Sequence, residues 1–268
     1  MVLANLAAIF FVLTLARIAG ISRSKALRWI HDWVAFPMVL FTYKQIYYLV
    51  PSIRQGKDYD SLLMAIDHWL FRVNPTQWLT QYSSPFLTES LQISYSVFYA
   101  FFIAIGLELY LKKEYGKFKY FSLTIVYGFF LSYLAYFLLP AVGPRFTLHD
   151  FSNIDIELPG LFATPSLRWF VNIFESIQPG MTNSVAIASA QRDVFPSGHT
   201  MMTLLVIVMS WKFRLKVRPY ILAIGILLIF ATVYLRYHYV VDVAAGALLA
   251  ILCLLTSKKL FNLLSDKN

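Results

Sequence analysis

The sequence predicts an all-α polytopic membrane helix bundle, and three observations predict it. Hydrophobic residues make up 59% of the 268 and charged residues only 14%, against about 25% charged in a soluble domain. Apolar runs recur near the roughly 20 residues that a spanning helix needs. The basic residues fall in short clusters between those runs. So few ionised side chains cannot cover a soluble globule of this size, so most of the apolar surface faces lipid. An ordinary cytosolic enzyme, a disordered chain and a disulfide scaffold are excluded. The net charge of +9 sits in loops and not on one face of a polar domain, which fits membrane topology and not a nucleic-acid partner. The one cysteine, Cys253, lies inside an apolar run and cannot form an intramolecular bridge.

Seven apolar runs qualify as candidate spans: 2–19, 33–50, 91–111, 120–139, 198–211, 220–235 and 239–256. They read as helices, because a membrane barrel would show alternating segments of about ten residues. The first is interrupted by Arg17 and lacks a basic residue before it and a small-residue cleavage site after it, so it reads as a retained helix. The fifth and sixth are short and borrow length from their flanks. Between the runs lie two long connections, 51–90 and 140–195. In the first, Leu62, Leu63, Ile66 and Leu70 recur at helical spacing beside Trp69, with Trp78 further on, as in an amphipathic helix of the headgroup zone. The second carries the turn signals Gly143-Pro144, Leu158-Pro159-Gly160 and Gln178-Pro179-Gly180. Its aromatic residues, Phe151, Phe162, Trp169, Phe170 and Phe174, argue for order.

Basic residues set the orientation. Arg17, Arg23, Lys25 and Arg28; Lys112, Lys113, Lys117 and Lys119; Lys212, Arg214, Lys216 and Arg218; and Lys258, Lys259 and Lys267 fall on one side, 15 of 23. By the positive-inside rule that side is cytoplasmic. The chain then divides into an N-terminal helix with a basic cytoplasmic loop, 1–28, and a membrane catalytic domain, 29–268, with connections 51–90 and 140–195 outside.

Three short segments meet on the non-cytoplasmic side: Gly143-Pro144-Arg145, the stretch from Phe195 to Thr200, and the stretch from Arg236 to Asp242. Ionisable residues at membrane depth are functional candidates. In Pro196-Ser197-Gly198-His199 the proline is tolerated in a first helical turn, and the small Ser197 and Gly198 let free N–H groups approach an anion. This builds a phosphate cradle. His238 and Asp242 are four apart and share a helix face, so the carboxylate can hold one imidazole nitrogen and raise the basicity of the other. His238 is thus a candidate nucleophile and His199 a proton donor to the leaving oxygen, with Arg145 and Arg236 to neutralise phosphoryl charge.

At these residues the sequence resembles the type-2 phosphatidic acid phosphatase superfamily of membrane lipid phosphatases and phosphotransferases, most convincingly over 91–256. The resemblance implies a six-helix core, to which the first run is an N-terminal addition. It also implies a metal-independent reaction through a phosphohistidine. In this likeness His238 is the nucleophile, Asp242 its partner, His199 the general acid, and Ser197 with Gly198 the backbone phosphate contacts. The second motif matches in full at Pro196 to His199, and the third at His238 and Asp242. Three positions depart from the phosphatase pattern: Leu138 stands at the first-motif lysine, Phe146 at the proline after Arg145, and Thr232 at the third-motif arginine. Tyr234-Leu235, His238-Tyr239-Val240-Val241-Asp242, Asp67-His68-Trp69-Leu70-Phe71 and Asn74-Pro75-Thr76 resemble the inositol phosphorylceramide synthase-like branch. Gly198 leans toward the phosphatases.

The expected activity is cleavage of a lipid-linked phosphate or pyrophosphate without metal or cofactor. The alternatives are a phosphotransferase using a lipid or polyol hydroxyl, and a transporter or inactive relative. The expected partners are a lipid phosphate and membrane lipids. His31, His68 and His149 read as interfacial polar groups, Glu108 as a surface pair with Lys112, and Arg192, Asp193 and Lys44 as further charges available to the site. No N-glycosylation acceptor is present, since Asn74-Pro75-Thr76 is blocked by its proline, which favours a bacterial plasma membrane.

Overall fold

The computed structural model describes residues 2–54, 56–178 and 180–265, and every regular element among them is a helix. The chain is an all-α polytopic membrane bundle. Lys267 and Pro179 of the turn Gln178-Pro179-Gly180 lie outside the described residues. Two compact units are distinguished, Met1–Leu49 and Val50–Asn268.

The first unit holds α1 (Val2–Ile21), α2 (Lys25–Trp33) and most of α3 (Ala35–Arg54). Ser24 caps α2 by accepting from the Leu27 amide at 3.4 Å, which satisfies one of the donors that a helix start leaves open. Within this unit the side chains of Asn5 and Gln45 hydrogen-bond at 2.5 Å.

The second unit opens with α4 (Asp60–Phe71) and α5 (Pro75–Leu79), followed by α6 (Pro85–Ser96), α7 (Phe98–Leu111) and α8 (Tyr115–Tyr136). The connection after α8 folds into four short helices, α9 (Pro144–Thr147), α10 (Ile154–Glu157), α11 (Thr164–Phe174) and α12 (Asn183–Ser189). The unit closes with α13 (Gly198–Lys212), α14 (Arg218–Tyr234) and α15 (Val240–Ser265). α13 is its centre, with most side chains buried against α7, α8, α14 and α15. α15 turns a stripe of Asp242, Gly246, Ala250, Cys253 and Ser257 inward. Their spacing of three and four keeps them on one helix face, and their small size lets neighbouring backbones approach, as membrane bundles require.

Among the described residues α1, α8 and α15 are long and apolar enough to cross a bilayer, and α6 with α7, bent by 48°, make a fourth such element. The seven apolar runs thus resolve into four full-length elements and three others. α14 is apolar but 17 residues long, and α13 has 15, about 22 Å at 1.5 Å per residue. α13 is wrapped by protein and needs less lipid-facing length. α3 carries Pro51 inside its last turns.

α4 is the amphipathic helix expected in the first connection, but its faces carry an unexpected assignment. Leu62, Trp69 and Leu70 are exposed, while Asp60, Leu63 and Asp67 point inward. The buried side of α4 is therefore acidic, because it meets backbone amides of the loops described next.

Candidate active site

The three motif segments converge at the end of the second unit where α8 and α14 finish and α13 and α15 begin. Gly143 has a φ of 98°, and a Cβ there would stand 2.9 Å from the Tyr237 carbonyl oxygen. Only glycine accepts both the left-handed backbone and this approach. One residue on, the Arg145 amide donates to the Arg236 carbonyl at 3.0 Å, joining the first and third segments. The second joins the third through α15: the Ser197 amide donates to the Asp242 carbonyl at 2.9 Å. A Cβ on Gly246, one turn further, would come within 2.4 Å of the Ser197 carbonyl oxygen.

Local capping shapes each segment. The Ser197 side chain accepts from the Thr200 amide at 3.2 Å and caps α13. The amides of Gly198 and His199 are the first two of that helix, which has no acceptor of its own for them. A Cβ at Gly198 would meet the Tyr136 hydroxyl at 2.4 Å, so the cradle needs its smallest residue. α14 ends in a Schellman turn, with the Arg236 amide on Val233 and the Tyr237 amide on Thr232, both at 3.0 Å. Arg236 occupies the left-handed position of that turn at φ 69°, where glycine is usual, at a cost of about 1 kcal/mol or more.

The His199 and His238 rings face each other at 6.0 Å between centroids, tilted by 60°. Behind His238, Asp242 Oδ2 lies 3.5 Å from Nδ1 and accepts from the Tyr239 amide at 2.8 Å. In this pair two buried polar atoms are left without a hydrogen bond, His238 Nδ1 and Asp242 Oδ1; such atoms are rare in folded proteins. Burial pushes the His238 imidazole down to about 4, against the upward pull of Asp193 and the Val194 carbonyl. The ring is therefore neutral at pH 7. His199 packs between Tyr95, stacked at 4.5 Å, and Phe98 at 4.4 Å.

The two arginines go to different places. Arg145 is buried, with its guanidinium 4.9 Å over the Tyr237 ring and 4.5 Å over Phe146. It pairs with Glu175 and donates to the Asn172 side chain at 3.2 Å. Arg236, fully buried, directs its guanidinium to Glu157 and, at 3.1 Å, to the Thr80 hydroxyl. Glu157 also lies 3.6 Å from His149, whose other nitrogen is 3.1 Å from the Thr76 hydroxyl. His149 is thus buried in a polar network and is not the interfacial group expected, and burial holds it down to about 4. Arg192 pairs with Asp58 at 3.3 Å. Lys44 belongs to the first unit.

Four acids that the motifs did not single out as anchors bind pairs or runs of backbone amides. Asp60 accepts from Val142 at 3.0 Å, from Gly143 at 2.8 Å and from the Tyr239 hydroxyl at 2.9 Å. Asp67 accepts from Val240 at 2.7 Å and Val241 at 2.9 Å, the opening amides of α15. Burial pushes both carboxyls up while these donors pull them down. Glu89 accepts from the amides of Leu161, Phe162, Ala163 and Thr164. Glu108, expected as a surface partner of Lys112, makes that pair and also accepts from Lys216 at 2.7 Å and Val217 at 3.1 Å. The seven-residue spacing of Asp60 and Asp67 on an otherwise apolar helix was the available signal for the first two. A family model described as the PAP2 superfamily matches residues 61–256. No curated protein and no solved structure matches the chain.

Proposed function

The chain belongs to the PAP2 superfamily, a membrane phosphatase or phosphotransferase in kind, and we propose that it cleaves a lipid-linked phosphate or pyrophosphate through a phosphohistidine. The observation that carries this is the opposed pair of histidines 6.0 Å apart with Asp242 behind one of them, a gap that suits a phosphoryl group between nucleophile and acid.

In this reading the neutral His238 attacks phosphorus through Nε2 while Asp242 steadies Nδ1 and the positive charge that develops. The bond from phosphorus to the lipid oxygen breaks, and His199 gives that oxygen its proton. A lipid alcohol leaves, or a lipid monophosphate when the substrate is a pyrophosphate. Water then attacks the phosphohistidine, His199 takes back a proton, and inorganic phosphate is released. Arg145, with the Gly198 and His199 amides, is placed to offset charge on the phosphoryl oxygens, and Arg145 would then share its guanidinium between phosphate and Glu175. Arg236 supports the loop through Glu157 and Thr80. No step calls on a metal. The basic residues clustered in short loops support a site on the non-cytoplasmic side, and the lack of an N-glycosylation acceptor supports a bacterial plasma membrane.

One observation favours transfer to a second hydroxyl. The folded 140–195 connection holds a cavity of about 450 Å³ lined by Trp169, Asn172, Arg168 and Thr182, and Asn172 is also the partner of Arg145. In the transfer reading this cavity, linked to the site through Asn172 and Arg145, takes the second headgroup. Purified protein offered labelled phosphatidic acid, isoprenyl pyrophosphate and glycerophospholipids separates the readings. Phosphate release that persists in chelator, with an acid-labile phosphoprotein absent from His238→Ala, is the expected result. Headgroup transfer without free phosphate would replace hydrolysis by the synthase reading. No turnover and no phosphoprotein on any substrate would leave a transporter or an inactive relative.

A further inference from the structure

We propose that Tyr95 is a positioning residue for the proton donor, fixing the plane of His199 and the nitrogen from which its proton leaves. This rests on the phosphohistidine reading above.

Tyr95 lies in the last turn of α6, two residues before Val97 at the 48° bend between α6 and α7, and is only 4% exposed. Its ring is held on both faces, by His199 at 4.5 Å and 25° and by Tyr237 at 4.4 Å and 15°. The Arg145 guanidinium is 4.9 Å over the Tyr237 ring. Arg145, Tyr237, Tyr95 and His199 therefore form one column, built from four segments of the chain and ending on the imidazole opposite His238. Phe98, just past the bend, packs against the same imidazole at 4.4 Å. A ring gripped this way has little freedom to turn about its χ2 axis.

The Tyr95 hydroxyl stands 3.5 Å from His199 Nδ1, long for a hydrogen bond in a substrate-free site and of the kind that tightens in a reacting complex. Accepting from Nδ1–H, it leaves Nε2 as the nitrogen that gives the proton up. As the His238–phosphorus bond forms and the bond from phosphorus to the lipid oxygen breaks, the Nε2 proton passes to that oxygen. The electron pair left on Nε2 then accepts a proton from the attacking water. The Tyr95 face also favours the charged imidazolium before it donates. Tyr95 touches neither substrate nor phosphorus in this account and acts only through His199.

A residue that only fills space would affect all substrates alike. A residue that positions an acid affects those whose leaving group needs a proton. The test compares dioctanoyl phosphatidic acid, whose diacylglycerol leaving group needs a proton, with p-nitrophenyl phosphate, whose nitrophenolate leaves without one. For Tyr95→Leu the ratio of kcat/KM, aryl over lipid substrate, should rise by about 30-fold or more, a substantial part of the 10²–10⁴-fold that general acids contribute. Tyr95→Phe, which keeps the stack, should raise it by less than about tenfold. His199→Ala should show the same rise, and adding Tyr95→Leu to it should change little, as for residues acting as a unit. Equal losses on both substrates, or full additivity with His199→Ala, would overturn the proposal. Should the unchanged protein turn over neither substrate, the phosphohistidine reading fails by itself. The positioning is then read from the ring-proton resonances of His199 in labelled protein. They should move downfield in Tyr95→Leu and stay near their place in Tyr95→Phe, and resonances unmoved in both would overturn it.

Discussion

The helical interior and the loop layer of the second unit are built from opposite materials. Around α13 the contacts are apolar, and close approach is arranged by glycine: a Cβ on Gly128 would meet Leu205 and Met202, and one on Gly225 would meet Ile207 and Thr203. In the loop layer the chain is tied by charge. Asp60, Asp67 and Glu89 hold eight backbone amides between positions 142 and 241. Arg145, Arg168, Arg192 and Arg236 each pair with a carboxylate. The difference shows what an ionisable residue at membrane depth does here. Most of them fasten loops that have no ladder to satisfy their amides, while the proposed reaction draws on the histidine pair, Asp242 and Arg145.

The largest effect should come where the two materials meet. Gly246→Ala places a methyl group 2.4 Å from the Ser197 carbonyl oxygen, and backbone on both sides leaves nothing that can swing away. The Ser197-Gly198-His199 turn must move off α15 and carry His199 from His238. A misplacement of about 1 Å costs about 100-fold in rate, so kcat/KM should fall by at least that much while the helical circular dichroism is kept. Activity within about threefold would show that the cradle is not held by this contact. A smaller effect is expected from Asp67→Asn, which keeps the shape but removes the charge from two bonds to α15. Ionic hydrogen bonds are about twice as strong as neutral ones, and a loss of about tenfold in kcat/KM should follow. Asp67→Ala should in addition lower unfolding stability by about 1–3 kcal/mol, the cost of leaving buried amides unpaired.

These two predictions also mark how far the sequence could be read. Hydropathy located the helices well, because lipid imposes length and apolarity on each of them. Pro196 to His199 and His238 to Asp242 were legible because they combine local helix-start chemistry with reactive side chains, and the fold sets the two rings face to face. The anchors were not legible in the same way. Asp60 binds Val142 and Gly143 and Glu89 binds 161–164, in each case more than 70 residues along the chain, and no local pattern announces an amide that distant. Arg236 shows the same blindness from the other side. Its place two residues before His238 suggested a phosphate contact, but the left-handed turn at 236 aims its guanidinium at Glu157 and Thr80. Direction depends on a backbone angle that residue spacing does not contain.

A third prediction asks whether the loop layer keeps water from the nucleophile. His238 must be neutral to attack, and burial holds its pKa at about 4. The acid limb of kcat/KM, where this ring takes a proton, should then lie at about pH 4 with a tenfold fall per unit below it, while loss of the His199 proton sets the alkaline limb. The negative charge of Asp193 favours the protonated ring, so Asp193→Asn should move this acid limb to lower pH. A limb near the ordinary histidine value of about 6.5 would mean that the ring is solvated in the working protein, and the layer would then be open and not sealed.

The smallest effect tests the other half of the comparison. Gly128→Ala introduces the same methyl group as Gly246→Ala, into an equally tight place: its Cβ would stand 2.8 Å from Leu205 Cδ1 and 3.0 Å from Met202 Sδ. Both of those atoms lie far out on flexible side chains, and Met in particular adapts to irregular space. Rotation of the two side chains accommodates the methyl at a cost of about 1 kcal/mol, typical of mild overpacking. Nothing in that contact touches the loops that carry His199 or His238, so kcat/KM should stay within about twofold while the melting temperature drops slightly. A collapse of activity in Gly128→Ala would mean that strain in the helical interior reaches the cradle along α13, whose first turn is the cradle itself. The interior and the loop layer would then be one mechanical unit, and the loss in Gly246→Ala could no longer be assigned to the Ser197 contact alone.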